Sequence, residues 1–113
     1  MDRKLRKYLS DILSAILEIE SFMKDRPKEY ATFCNDTLFR RGVERNMEIM
    51  GEAMNQALKI NPNIPITASR KIVDTRNFVI HAYDSLKPDI LWGIVINHMP
   101  LLKKEVEALL REE

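Results

Sequence analysis

The second half of the chain contains an octet, RNFVIHAY at residues 76–83, in which reactive side chains interrupt an apolar stretch. Arg76 stays charged and carries a planar fork of donors that fits a phosphate group. His81 can accept and donate protons near neutral pH. Asn77 could orient the imidazole or a phosphate oxygen, and Tyr83 adds a hydroxyl. Together these side chains suit metal-free attack of an RNA 2′-hydroxyl on the adjacent phosphate, which needs proton transfer and charge neutralisation.

The octet has the pattern of an amphipathic helix that advances about 100° per residue. Phe78, Val79 and Ala82 form an apolar arc, which is expected to face the interior. Arg76 and His81 are expected to flank the opposite, exposed arc. A ligand could lie between them, the helix could end near His81, or a second copy of the chain could complete the site. The helical periodicity alone does not choose among these arrangements, and polar residues on a solvated surface show the same pattern.

The composition is that of one ordinary domain spanning residues 1–113, with 45% hydrophobic and 31% charged residues. The formal charge of +1 gives no global attraction to nucleic acid or membrane, so any such contact requires a local patch. Polar residues interrupt the first 20 residues, which predicts neither a signal peptide nor a membrane span and favours the cytoplasm. The single cysteine, Cys34, excludes an internal disulfide and is expected to be a small core residue.

Helical periodicity recurs along the chain and predicts an all-α, up-and-down bundle of four or five helices. The first helix is expected at about residues 3–25. The second is expected at about 28–60, with a possible break and a new cap near residues 35–37. A loop at 61–67 leads to the helix that carries the octet, capped by Thr67 or Ser69. The last helix is expected from Pro88, with a kink or break at Pro100.

The second predicted helix contains a glycine and a methionine-rich stripe. Gly51 should cost roughly 1 kcal/mol relative to alanine inside a helix, and close approach of another backbone would explain it. The methionines are expected to pack in the core or at a dimer contact rather than to bind a cofactor; they are Met47, Met50 and Met54.

Two carboxylates of that helix lie four residues apart, on one face. Glu48 and Glu52 could position Arg76 or basic groups of a partner, although solvated surface charges are the more common case. His98, just before Pro100, is interpreted as a surface histidine or a hydrogen-bonded core histidine rather than part of a site.

The spacing Arg, four residues, His, one residue, Tyr resembles the motif of the HEPN superfamily, in its HepT-like branch of toxin ribonucleases. The segment RRGVERNMEIMGEAMNQAL is similar to the second helix of that family, and NPNIPIT to the loop before its motif helix. The segment from Pro88 resembles the closing helix, with Asp89, Trp92 and Pro100 in matching places. The resemblance covers about residues 37–110. It departs at Ala82, where an acidic residue is common, and at Thr67, where tryptophan is frequent.

The resemblance implies an all-helical homodimer in which two motif copies form a cleft that cuts RNA without a metal or cofactor. Arg76 and His81 would be the catalytic residues, and Asn77 and Tyr83 would support them. It also implies a toxin–antitoxin pair, in which a minimal nucleotidyltransferase neutralises the toxin and transfers AMP to Tyr83. Added phosphate beside Arg76 would compete for its charge.

Two other readings remain. The chain could be a non-catalytic binding module that forms a stable complex with a nucleotidyltransferase, which the near-neutral charge favours slightly, because nonspecific RNA binders usually gather cations. A purely structural dimer is also possible, but it would leave the motif and its flanks unexplained.

Overall fold

A computed structural model describes residues 1–81 and 88–112, with the backbone alone for residues 77–81. The described residues form six α-helices: α1 (Arg3–Met23), α2 (Tyr30–Asn35), α3 (Thr37–Ile60), α4 (Ser69–His81), α5 (Pro88–Asn97) and α6 (Met99–Arg111). The all-α prediction is confirmed. The number of helices exceeds the predicted four or five because both expected breaks separate complete helices.

The helix α1 begins where Asp2 accepts the backbone N–H of Leu5 at 3.0 Å, which satisfies one of the unpaired donors of the first turn. Apolar residues spaced alternately by four and three form one buried stripe on this helix: Leu5, Leu9, Ile12, Ile16 and Ile19, with Met23 packed at the edge. Burial of each such side chain stabilises the fold by about 1.5–3 kcal/mol. This stripe holds α1 along α3.

The first break in the predicted second helix falls at Asp36, between α2 and α3. Its carboxylate accepts the N–H of Phe39 at 3.0 Å and the Nε–H of Arg26 at 2.8 Å. The bond from Phe39 caps α3 at the position where the sequence predicted a new cap, and the ion pair with Arg26 holds the Asp36 carboxylate there. Arg26 and the N–H of Phe39 both favour the charged carboxylate, so they lower the pKa of Asp36.

The second break lies just ahead of Pro100, between Asn97 and Met99. Pro100 falls in the first turn of α6, where its missing N–H costs no helical hydrogen bond. The proline therefore starts α6 rather than kinking one long helix.

Aromatic packing joins α2, α3 and α5. The rings of Phe33 and Trp92 stack with centroids 5.2 Å apart, and Phe39 meets Phe33 edge-on at 5.4 Å. The methionines of α3 are fully buried, so the prediction of methionine packing in the core is confirmed. Cys34 is only half-buried, which corrects its expected place in the core, because α2 is short and presents only Phe33 to the interior.

The start of α4 is tied to α6 rather than capped as expected. Both the backbone N–H and the hydroxyl of Thr67 donate to the carboxylate of Glu105, at 3.1 and 2.9 Å. The helix begins at Ser69, so neither Thr67 nor Ser69 occupies the capping position. Within the described residues, none of the helices combines the length and the apolar run that crossing a bilayer requires.

Candidate functional site

Arg76 lies where α4 comes closest to α3, directly against Gly51. A Cβ atom added at Gly51 would lie 2.5 Å from the Cβ of Arg76 and 3.0 Å from the carbonyl oxygen of Ile72. Real Cβ atoms do not make such contacts, so glycine is what allows the two helices to approach. The close approach predicted at Gly51 is confirmed, and the approaching backbone is that of the motif helix itself.

The guanidinium of Arg76 is held by α3. Its Nη1 donates to Oε2 of Glu52 at 2.5 Å, and the Arg76 side chain is only 23% exposed. The prediction that Arg76 flanks an exposed arc is therefore wrong. The prediction from helical periodicity used only the apolar residues that follow Arg76. The buried residues before it, Ile72, Val73 and Thr75, define the inner face of α4 instead.

Glu52 is fixed from two sides. The Nε2 group of Gln56 donates to Oε1 of Glu52 at 3.0 Å, and Arg76 donates to Oε2. The bond from Gln56 and then that from Arg76 stabilise the charged form, so the pKa of Glu52 lies below its ordinary value. Of the contacts considered from the sequence, the one between Glu52 and Arg76 is present, whereas Glu48 lies 3.5 Å from Arg45.

Replacement of Glu52 by glutamine is expected to lower stability in a pH-dependent way. Because the pKa of Glu52 is lowered from 4.5, its contribution is present above pH 4.5 and is lost as the pH falls through the folded-state pKa. The carboxylate side of the pair is 53% exposed, so the expected loss at neutral pH is under about 1 kcal/mol. Urea unfolding at neutral pH and at about pH 3 measures it. A difference that does not shrink at the lower pH would contradict the assignment, and an Arg76→Ala background should reduce the difference at neutral pH.

The remaining motif residues are only partly covered by the structure. Asn77 and His81 belong to α4, which ends at His81, but their side chains lie outside the described residues. Tyr83, the predicted site of modification, lies entirely outside the described residues.

A groove of about 340 Å³ opens beside Arg76, between α1 and the α3–α4 contact. Three ion pairs and the ring of Tyr8 line it; the pairs are Lys7–Asp11 at 2.7 Å, Arg45–Glu48 at 3.5 Å and Arg76–Glu52 at 2.5 Å. The motif gave no indication of Lys7, Tyr8 or Asp11, because they lie on α1, far from it in the sequence. Helix packing alone brings them to Arg76.

His98 lies on a different surface. Its Nε2 is 3.4 Å from Nζ of Lys71, at the junction where α6 begins, and its side chain is half-buried. Among the described residues, no three or more His, Cys, Asp or Glu side chains are grouped so that they could hold a metal ion.

Comparison with known proteins decides the family. The family model described as "Ribonuclease HepT-like" matches residues 12–109. The chain belongs to the HepT-like ribonuclease family. The HepT-like match runs from the middle of α1 into α6, and it starts one residue after Asp11. The α1 side of the groove therefore lies outside the match, whereas Arg45, Glu52 and Arg76 lie inside it.

Relatives cover nearly the whole HepT-like chain. A protein of Methanocaldococcus jannaschii, named as a candidate RNase, is 36% identical over 111 residues, which cover 95% of this chain and 97% of the relative. A protein of Thermococcus cleftensis, named as a probable ribonuclease HepT, is 34% identical over 113 residues, covering 96% and 98% of the two chains. No solved structure matches the chain.

Proposed function

We propose that this chain is an RNA endonuclease that works without a metal ion, with Arg76 and His81 as its catalytic residues. One observation carries the proposal. In a chain of the HepT-like family, Gly51 and Glu52 of α3 hold the guanidinium of Arg76 in place on the same helix that carries His81 five residues later. A fixed guanidinium needs little reorganisation to stabilise charge that develops on a phosphate.

The proposed reaction is attack of the RNA 2′-oxygen on the adjacent phosphorus. His81 accepts the 2′-hydroxyl proton, the O2′–P bond forms and the P–O5′ bond breaks. A protonated histidine returns a proton to the leaving O5′, so the products are a 2′,3′-cyclic phosphate and a 5′-hydroxyl. Arg76 neutralises the charge on the non-bridging oxygens, and Asn77 orients the imidazole or a phosphate oxygen.

A homodimer follows from the same chemistry. The attacking and leaving oxygens lie on opposite sides of the phosphorus in an in-line displacement. One imidazole cannot serve both oxygens at once, so we propose that a second copy of the chain supplies the second His81. The two motif helices would then meet in one cleft.

Metal removal provides the direct test of this function. The purified chain is expected to cut single-stranded RNA at the same rate in excess chelator as with added Mg²⁺, because proton transfer and charge neutralisation both come from side chains. His81→Ala protein prepared in parallel controls for contaminating nuclease. Loss of cleavage in chelator, restored by Mg²⁺, would contradict the metal-free mechanism.

The proposed partner is a minimal nucleotidyltransferase antitoxin that transfers AMP to Tyr83 and so silences a toxin. An adenylate beside the motif would compete with substrate for the charge of Arg76. Incubation with such an enzyme and ATP is expected to add one adenylate per chain by intact-mass measurement, and to abolish cleavage. Tyr83→Phe protein should gain no mass and stay active. Modification of the phenylalanine variant would place the acceptor elsewhere.

The binding-module alternative is favoured by one observation: the described residues that line the groove beside Arg76 include three cations and three carboxylates, so their formal charges sum to zero. Such a groove offers RNA little net attraction. A chain that binds a nucleotidyltransferase but does not cut RNA, with intact mass excluding an adenylate on Tyr83, would support this alternative over the enzyme.

A further inference from the structure

We propose that the groove between α1 and the α3–α4 contact binds a nucleotide of single-stranded RNA beside the scissile phosphate. Tyr8 is the surface on which the base stacks, and Arg45 holds a phosphate further along the same strand. The inference rests on the proposed ribonuclease function and adds to it a substrate-binding site that includes α1. Among the described side chains, Arg76 is the motif residue that lines this groove.

The groove has the size and position that such a site needs. Its volume of about 340 Å³ lies within the range of small-ligand sites, roughly 300–1,000 Å³, and Arg76 forms part of its wall. A strand whose scissile phosphate lies at Arg76 must therefore place a neighbouring nucleotide at or near the groove. The remaining walls come from side chains of α1 and α3.

Tyr8 is held so that it can serve as a platform. It packs against the core cluster as a partly buried side chain while its exposed part lines the groove. A ring fixed in this way loses little conformational freedom when a base stacks on it. Base–aromatic stacking contributes about 1–3 kcal/mol per base and requires an unpaired base, which favours single-stranded RNA.

Lys7 does not block the platform. Its Nζ lies 5.2 Å from the centroid of the Tyr8 ring and 2.7 Å from Asp11, but the Lys7 side chain is 67% exposed. An exposed cation–π contact and an exposed ion pair each contribute about 1 kcal/mol or less. Stacking of a base can offset their loss, and the displaced ammonium is then free to contact a phosphate.

Arg45 is placed to follow the strand. Its side chain is 68% exposed and lies 3.5 Å from the carboxylate of Glu48, on the same helix. Arg45 lies seven positions before Glu52, the partner of Arg76, and this spacing corresponds to about 10 Å along the axis of α3. That length corresponds to about three stacked nucleotides at roughly 3.4 Å each.

The balanced charges of the groove determine which interactions supply the affinity for RNA and how strongly salt weakens it. Because every cation there has a carboxylate neighbour, a phosphate must compete with Asp11, Glu48 or Glu52. Stacking on Tyr8 then supplies most of the affinity, and salt weakens binding only modestly. A single-strand contact of one or two phosphates gives a slope of log affinity against log salt of about −0.7 to −1.4.

The test measures binding of a fluorescein-labelled, fully 2′-O-methylated RNA oligonucleotide by anisotropy. That probe lacks the 2′-hydroxyl nucleophile, so it stays intact whether or not the chain is a nuclease. Tyr8→Leu is expected to weaken binding about 10-fold, from the loss of one stacking contact. Tyr8→Phe keeps the ring and should bind like wild type, which separates stacking from any effect on folding. Tyr30→Leu, on the exposed face of α2, is the matched control and should bind like wild type.

A second pair of variants tests the phosphate contact. Arg45→Gln is expected to weaken binding several-fold and to reduce the salt slope by about 0.7. Lys104→Gln removes one positive charge from an exposed position on α6 and should leave both quantities unchanged.

The inference is overturned if the wild-type chain does not bind the probe, or if Tyr8→Leu and Arg45→Gln both bind it as wild type does. Failure of the ribonuclease proposal would look different. The probe would bind in a way that depends on Tyr8, but unmodified RNA would show no cleavage that depends on His81. Unchanged binding by both variants, together with His81-dependent cleavage, would leave the nuclease standing and remove the groove from it.

Discussion

Alanine at Arg76 is expected to lower the rate of RNA cleavage by about 10²–10³-fold. Removing one preorganised donor from a developing oxyanion typically costs about 2.7–4 kcal/mol of transition-state stabilisation. Alanine at His81 is expected to cost about 10²–10⁴-fold, because proton transfer is lost. Single-turnover cleavage of a labelled single-stranded RNA measures both effects. The two losses should not add fully, since both groups act on the same transition state.

The matched controls separate charge from geometry. Arg76→Lys keeps the positive charge but loses the planar fork that Glu52 holds, so it should restore only part of the rate. Arg111→Ala removes an exposed arginine at the end of α6 and should cut RNA like wild type. The Arg76→Ala chain should remain folded, because the Glu52 side of the lost ion pair is 53% exposed. Undiminished cleavage by the alanine variants at positions 76 and 81 would contradict their assignment as catalytic residues.

Alanine at Gly51 is expected to destabilise the chain by about 1–3 kcal/mol, although alanine is the better helix former. The new Cβ would meet the Cβ of Arg76 at 2.5 Å and the backbone oxygen of Ile72 at 3.0 Å, and neither atom is at the flexible end of a side chain. The helix α4 must therefore move away from α3. The same movement displaces the guanidinium of Arg76 from Glu52, so cleavage should fall together with stability.

Gly93 provides the control for that substitution. It lies inside α5, and a Cβ added there would meet no atom within 4 Å among the described residues. Gly93→Ala should therefore leave stability unchanged or raise it by up to about 1 kcal/mol, through helix propensity alone. Urea midpoints of the two variants, compared with wild type, measure the contrast. Equal effects at the two positions would show that helix propensity, not the α3–α4 contact, governs Gly51.

Local patterns in the sequence predicted most of the fold. The apolar stripe of α1, the methionines of α3, the cap at Asp36 and the break near Pro100 all follow from spacing and from side-chain capping chemistry. Each of these depends on residues within one or two helical turns. The close approach at Gly51 could be predicted for the same reason, because a glycine inside a helix carries a local cost.

The site was predicted less completely, because its geometry is set by packing between distant segments. The apolar residues after Arg76 suggested an exposed arginine, and only the contact with α3 turns it inward. The groove lining from α1 had no counterpart in the motif, since the packing of α1 against α3 places Tyr8 in the same groove as Arg76. The spacing of Glu48 and Glu52 allowed pairing with Arg76, contact with basic groups of a partner, or solvated surface charges, and the packing of α4 on α3 pairs Glu52 with Arg76.

Gly51 also restricts how α4 can move relative to α3. Along the same face of α3, Met47 stands four residues before it and Met54 three residues after it, and both side chains are fully buried. Displacement of α4 along the axis of α3 would move the stem of Arg76 away from the position that lacks a Cβ atom and towards residues of α3 that carry side chains. Interior packing at native density offers no free volume for that overlap. The missing side chain at Gly51 therefore opposes sliding of α4 along α3 at this point.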